Sequence, residues 1–595
     1  MPQFLPPFRD IQFVLHELLE VESRLGALER HAEVNRELID HVVEEAGKFC
    51  SEVLAPTNLS GDHEGCRYAG DGVVTTPAGF KAAWEQFRDA GWPSLSCHTE
   101  FGGQGLPHVV QTVVQEMLNS ANLAWTMYPG LTHGAYACLF HYGTPELQQL
   151  YLPRLVSGDW MGTMCLTEPH AGTDLGLLRS RAEAQADGSY AISGTKIFIS
   201  AGEHDLSENI VQLVLARLPD APEGVRGISL FVVPKFIPSA DGSLGARNGY
   251  QCARIEEKMG IHGNSTCVLD FEGATGWLVG EPNKGLNAMF LMMNAARLGV
   301  ALQGLGLTEI AYQNSATYAK ERLQGRALTG AKNLQASADP IIVHPDVRRM
   351  LLTQRAYLEG SRAFVYWTAL LIDEQECTSD DEVRADRADL VALVTPVAKA
   401  FITDNAFLTT NLGLQIFGGS GYIQETGVEQ YARDARITMI YEGTNGIQAL
   451  DLIGRKILMD QGAKLRRFGA LVRELVESEG TNEEMAEFIN PLAELGGKVE
   501  KLTMEIGMKA LQNPDEAGAA SVDYLRVIGH FVLSYFWAKM AKVALAKKDS
   551  GDAFYTAKLA TARFYFARVY PETAGLIRTT RAGAATLMAL DENLF

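Results

Sequence analysis

The stretch MIYEGTNGIQ (439–448) sets one carboxylate, Glu442, after Met439, Ile440 and Tyr441 and before Gly443 and Thr444. Three uses compete for it: a salt bridge, the opening of a helix through IQALDLIGRKILM, since carboxylates suit helix N-termini, or a general base in apolar surroundings that raise its proton affinity. On local grounds the helix-opening and base readings stand level.

Five other strings carry polar groups in suggestive places. In LTEPHAGTD (166–174), Thr167, Thr173 and the amides around Gly172 form a glycine-containing turn able to donate to a heteroaromatic edge or an anion; taken alone, the string reads first as a plain loop entering a strand. In GTKIFIS (194–200), Phe198 and Ser200 share a face by strand alternation and could meet a ring cofactor, or belong to an ordinary half-buried strand. QIFGGSGY (415–422) follows a helix, so Gly418 and Gly419 read as a C-cap or as a close approach to a phosphate; the spacing is not a dinucleotide fingerprint. Arg297, in the apolar run MMNAARLGV, is a paired or snorkelling side chain or an anion clamp. Arg322, in AKERLQG, reads by default as a solvated helix end.

These residues need elements to hold them. Residues 1 to about 160 read as helical: RELIDHVVEEAGKFCSEVLAP has a helical stripe at Ile39, Val42, Val43 and Ala46, stopped by Pro56, and PELQQLYLPRLVSGDW ends near Gly158. From about 161 to 280 the signals are strands, with Asp187-Gly188 joining two alternating runs as a hairpin in an antiparallel β domain. From about 285 helices return, with Leu298, Leu302 and Leu305 on one face, and long helices with modest connections suggest a bundle. A last helical block follows 460, with NPDEAGAASVD separating two of its helices.

A chain of 595 residues exceeds one core. With 47% hydrophobic and 21% charged residues it is ordinary for a globular protein. Its net charge of -20 argues against a nucleic-acid partner. The N-terminus lacks the pattern of a secretory signal, and no uncharged apolar run reaches the roughly 18–20 residues of a membrane span. The eight cysteines form no CxxC pair, so neither a disulfide framework nor a metal site is expected, and a reduced cytoplasm fits.

Seven strings in order, FGGQGLP, CLTEPHAGTD, GTKIFIS, GEPNKGLNAMFLMMNAAR, AKERLQG, QIFGGSGY and RDARITMIYEGTNGIQ, together resemble the acyl-CoA dehydrogenase family across roughly residues 40 to 460. The resemblance implies an α+β fold. Its parts are an N-terminal extension (1–38), an N-terminal helical domain (39–160), a middle antiparallel β domain (161–282), a C-terminal four-helix bundle (283–458) and an additional helical domain (459–595). The last part and the N-terminal extension look like the longer bacterial subfamily of fatty-acyl and 3-methylmercaptopropionyl-CoA dehydrogenases.

The resemblance also implies roles. Glu442 matches the catalytic base. Thr167, Gly172, Thr173, Phe198 and Ser200 match the flavin-facing positions of an FAD site. Arg322 matches an FAD-phosphate ligand, Gln415, Gly418 and Gly419 a loop reaching the FAD of a neighbouring subunit, and Thr444 a threonine near FAD. Thr173, Asn294, Arg297, Tyr441 and Gly443 fall at positions around the acyl-CoA. Departures are Gly446, where a glutamine that contacts FAD is common, the insertion ALTGAKNLQASADP, and His344-Pro345. Some relatives carry the base just before the arginine equivalent to Arg297; here that residue is Ala296, so Glu442 has no competitor.

The reaction so implied removes a proton from Cα and a hydride from Cβ of a fatty acyl-CoA thioester, of medium or long chain, and gives the trans-2-enoyl-CoA. A free glutamate, with a pKa of about 4.3, is a weak base for this, and a dry acyl pocket would raise it toward roughly 6–7. The expected acceptor is an electron-transfer flavoprotein, and the expected assembly a homo-oligomer, dimer before tetramer. Alternatives are 3-methylmercaptopropionyl-CoA as substrate, an oxidase or flavin monooxygenase on the same scaffold, and a non-enzymatic nucleic-acid-binding relative.

Overall fold

A computed structural model describes residues 2–595. The chain forms two compact units: Lys48–Leu106 with Ala121–Gly299, and Met1–Gly47 with Pro107–Ser120 and Val300–Phe595.

The first of these is built around a seven-stranded sheet. Its strands are β1 (Trp160–Cys165), β2 (Arg181–Ala184), β3 (Tyr190–Ser200), β4 (Asn209–Arg217), β5 (Ile228–Pro234), β6 (Tyr250–Ile255) and β7 (Thr266–Val279). The path runs β6-β7-β3-β2-β4-β1, with β5 pairing both β7 and β4. Pairing is mainly antiparallel, as expected from the hairpin signals, and the Asp187-Gly188 turn joins β2 to β3 with Gly188 at φ 86°. β1 departs from the pattern and lies parallel to β4. Parallel neighbours need a long connection, and the 43 residues between Cys165 and Asn209 supply it. Alternation along β4 feeds two cores: Val211, Leu213 and Leu215 pack on one side with Trp160 and Leu152, while Val214 and Ala216 pack on the other with Phe231 and Leu269.

The second unit is helical. Its long helices Pro345–Cys377, Asp381–Phe417 and Asp515–Ala546 are buried along their central turns, Ala486–Ala510 buries one face, and Leu302 and Leu305 of the Gly285–Glu321 helix are buried as their spacing predicts. Two helices, Gly285–Glu321 and Asp381–Tyr422, have the length and hydropathy to cross a membrane; half of the apolar window of the first and 78% of that of the second lie buried inside the protein.

A cluster of charges is buried in this unit. Arg362, 1% exposed, pairs with Glu116 at 2.6 Å and with Glu309 and Asp10, while Lys558, fully buried, pairs with Asp10 and with Glu359 at 2.7 Å. Burial pushes the Glu309 carboxyl up; at Asp10 burial acts the same way, but Lys558 and Arg362 hold it well below the usual carboxylate range.

Three expectations about element ends are corrected. Pro56 does not stop a helix. Arg36–Phe49 continues as a π-helical turn through Leu54, and Pro56 opens the helix Pro56–Glu64, a position where its missing N–H is harmless. NPDEAGAASVD is not a spacer: the helix begins at Asp515, with Asp515 and Glu516 favouring its N-terminus, and takes up most of the string. Glu442 does not open a helix; that helix is Asn445–Leu450, capped by Thr444, whose Oγ1 accepts from the Ile447 N–H at 3.3 Å.

Candidate active site

Excluded from the helix, Glu442 occupies a turn with left-handed backbone, φ 58°, and Gly443 follows at φ 85°. A non-glycine side chain there is strained by roughly 1–2 kcal/mol, and such residues cluster at functional sites. The turn is held from three sides. The Gln448 side chain donates Nε2–H to the carbonyls of Glu442 (3.1 Å) and Gly443 (3.3 Å). The Asn445 N–H donates to the Met439 carbonyl at 3.1 Å. The Tyr441 hydroxyl donates to Gln303 Oε1. Burial, and then the adjoining Glu442 charge, push the Tyr441 phenol far above its usual pKa, so it remains a donor. Met439 is half-buried and Ile440 exposed, so an apolar lip leads to the carboxylate.

Behind the turn, Asn445 is wired to the Asp381–Phe417 helix. Lys399 Nζ donates to Asn445 Oδ1 at 2.8 Å, and Asn445 Nδ2 donates to Asp404 Oδ1 at 2.7 Å and to Thr403 Oγ1 at 3.0 Å. Sequence reasoning missed Lys399, Asp404 and Asn445; the signal was a lysine inside VALVTPVAKAFIT, since a charge in an apolar helix needs a partner.

The same unit holds the Arg322 and 415–419 positions. Arg322 is exposed just beyond the Gly285–Glu321 helix, as its default reading held. Gly418 caps the Asp381–Phe417 helix at φ 61°. Tyr318 stacks on Phe417 at 4.1 Å, which brings the Arg322 helix end beside the Gln415–Gly419 turn. Gln415, Gly418 and Gly419 are exposed, and a Cβ on either glycine would meet nothing within 4 Å. A guanidinium, an amide and an open glycine turn suit a diphosphate.

The sheet unit carries the remaining positions. Phe198 is left-handed, φ 59°, and 60% exposed, an unusual state for a large ring in a strand. Its cause is a bulge: between the Cys267–Ile199 and Leu269–Lys196 pairs, Ile197 and Phe198 oppose Val268 alone. Ile199 is buried while Ser200, like Phe198, faces away from that core, in line with the alternation. The Ile197 N–H donates to the Thr167 carbonyl at 2.9 Å, so the threonine turn and the bulge form one surface, on which Gly172 and Thr173 are exposed. Under it lies an ion pair that sequence reasoning also missed: Lys196, fully buried, with Glu168 at 2.8 Å. Glu168 further accepts from the Arg179 N–H and from the Ser180 N–H and hydroxyl. Burial pushes the Glu168 carboxyl up, but Lys196 and these donors hold it below its usual value. Arg297 is buried and donates to Asn294 Oδ1 at 3.1 Å, and Asn294 is exposed.

Comparison with known proteins gives the family of the chain. The chain matches the acyl-CoA dehydrogenase N-terminal domain over residues 37–159, the middle domain over 163–274 and the C-terminal domain over 283–458, and an acetyl-CoA dehydrogenase C-terminal-like domain over 468–591. It is 44% identical to a 3-methylmercaptopropionyl-CoA dehydrogenase of Ruegeria pomeroyi, over 98% of this chain and 99% of that one. It is 35% identical to a broad-specificity linear acyl-CoA dehydrogenase of Mycobacterium tuberculosis over the full length of both. An acyl-CoA dehydrogenase complexed with FAD from Bacillus anthracis shares the fold, with TM-score 0.73 and 21% identity over 93% of this chain and 90% of that one. A chain solved in work on the electron transferring flavoprotein of Acidaminococcus fermentans gives TM-score 0.58 and 27% identity, over 71% of this chain and 98% of that one.

The chain therefore belongs to the acyl-CoA dehydrogenase family and is an FAD-dependent oxidoreductase. The side chains present fit that cofactor. In the sheet unit, the uncovered Phe198 ring on the surface it shares with the Thr167 turn suits a flat heterocycle; in the helical unit, the open glycine turn with Arg322 suits a diphosphate.

Proposed function

We propose that Glu442 is the base that takes the α-proton of a saturated acyl-CoA thioester, and that 3-methylmercaptopropionyl-CoA is its substrate. The observation that carries the first part is the strained Glu442, followed by Gly443 and held outside the helix by Gln448, Asn445 and the Thr444 cap. The similarity to the Ruegeria pomeroyi enzyme along both whole chains supports the second. The Mycobacterium tuberculosis relative favours linear acyl chains as a second reading.

FAD, when bound, supplies the hydride acceptor for Cβ. The protein does the rest: Glu442 receives and holds the proton at its carboxylate, Gly443 leaves room beside it, and Gln448 fixes the two carbonyls of the turn. Tyr441, kept protonated against Gln303, cannot compete for the α-proton. Phe198, Thr167 and Ser200 present the surface that orients the ring, and Arg322 with Gln415, Gly418 and Gly419 holds the phosphates, the glycine loop serving a neighbouring subunit in a homodimer. Thr173, Asn294 and Arg297 take the acyl-CoA. Electrons then pass to an electron-transfer flavoprotein, a reading supported by the similarity to the Acidaminococcus fermentans chain.

Anaerobic mixing of the FAD-loaded enzyme with a panel of acyl-CoAs tests this. Bleaching of the flavin fastest with 3-methylmercaptopropionyl-CoA is the expected result. Preference for longer linear chains would transfer the substrate assignment to the second reading, and no bleaching with any thioester would overturn the role of Glu442.

A further inference from the structure

We infer that Arg526, on the Asp515–Ala546 helix of the C-terminal block, is a positioning residue for Glu442, acting through Asp404 and Asn445. The inference rests on Glu442 being the base.

Asn445 lies three residues after Glu442, and its side chain is the link from the strained turn to the Asp381–Phe417 helix, through Lys399, Thr403 and Asp404. Arg526 meets the same helix on the adjoining stripe formed by Phe401 and Asn405. Its Nη2 donates to Asn405 Oδ1 at 3.2 Å, one residue from Asp404, and its guanidinium lies 5.6 Å from the Phe401 ring centre. Glu572 of the helix Glu572–Ala582 grips the guanidinium, accepting from Nη2 at 3.0 Å and from Nε. The seam leaves no slack: a Cβ on Gly529, three residues along from Arg526, would sit 2.2 Å from Phe401 Cδ2.

Asp404 thus stands between the turn and the C-terminal block. Asn445, Arg526, Lys399 and Arg436 are the groups that act on it. Burial pushes its carboxyl up, and these four oppose the rise. Without Arg526 the carboxyl takes up a proton at higher pH. A neutral carboxyl accepts more weakly from Asn445 Nδ2 than a carboxylate, and a turn held at φ 58° against its own preference then relaxes.

The test uses the full-length, FAD-loaded enzyme, reduced anaerobically by butyryl-CoA and by 3-methylmercaptopropionyl-CoA across pH. Arg526→Met is expected to slow the limiting rate of flavin reduction about tenfold, with the half-saturating thioester concentration unchanged. The acid limb of its pH profile moves upward, and Arg526→Lys restores most of the rate. In an Asn445→Ala background the same substitution adds less than about twofold, because the route is already cut. A parental rate and acid limb in Arg526→Met, or losses that simply multiply in the double variant, would overturn the inference. Should Arg526→Met not fold, Asp404→Asn decides: a rate slowed across the whole pH range supports the route, and a parental profile refutes it. Glu442→Gln, run alongside, separates the two readings. If it reduces flavin normally, the base assignment fails; if it is inert while Arg526→Met is parental, only the route fails.

Discussion

Glu442 and Phe198 belong to different units and share one backbone conformation, φ 58° and 59°, but they are held in it by different means. Phe198 is fixed by a sheet. A bulge between β3 and β7 leaves it no other state, and the buried Lys196–Glu168 pair lies beneath. Glu442 has no sheet. Its turn is secured by side chains: Gln448 holds the turn carbonyls, and Asn445 reaches a helix whose own charges are shared with more distant residues. Strain held by backbone pairing is insulated from the rest of the protein, whereas strain held by side-chain hydrogen bonds is open to influence from far away.

The sharpest break between the two is Glu442→Gln, which keeps the fold and the bound FAD but slows flavin reduction by about four orders of magnitude, the upper range for a general base; stopped-flow absorbance reads it directly. Next comes Lys196→Met. It leaves Glu168 buried and unpaired, which costs roughly 3–5 kcal/mol, so denaturant unfolding moves early and FAD is lost, while a second change, Glu168→Gln, recovers much of the loss. Gly443→Ala places a Cβ 2.7 Å from Gln448 Nε2 at a φ of 85°. A penalty of roughly 1–2 kcal/mol in the turn slows flavin reduction, and an unchanged unfolding midpoint together with a parental rate would show that the turn is slack.

Phe198→Gly works in the other direction. Glycine accepts the left-handed backbone freely, so the apoprotein gains up to about 1 kcal/mol in a melt, while affinity for FAD falls. The smallest effect concerns a third left-handed residue, Ile261 at φ 49°, next to His262. The hydrogen bond to Asp62, at 3.0 Å, raises the His262 pKa to about 9 against burial. A raised pKa means stability fully present below the ordinary histidine value of about 6.5 and lost as pH rises through about 9. Between pH 7 and 10 the melting temperature should fall by about 2–4 °C, and His262→Gln should flatten that slope.

Much of this was legible in the sequence because it is local. The Asp187-Gly188 hairpin, the Gly158 and Gly418 helix ends and the Leu302–Leu305 face follow from residue types a few positions apart. The ordered motifs carried the family. Three things were not local. Pro56 reads as a stop in isolation, yet a π-turn delivers it to the one helical position that tolerates it. The bulge at Phe198 depends on how β7 registers against β3, which neither strand encodes alone. The partners of Lys196 and Lys399 lie 28 and 46 residues away in the chain, so each lysine announced that a partner exists without saying which.

The buried charges around Arg362 and Lys558 bear on how this enzyme can be trimmed. Removing residues 459–595 to reach the length of the shorter members of the family would take away Lys558 and leave Asp10 with Arg362 alone and Glu359 with Arg355 alone. Protein engineers should therefore treat the C-terminal block as welded rather than bolted on: a deletion that stops before it calls for Asp10→Asn and Glu359→Gln in the same design.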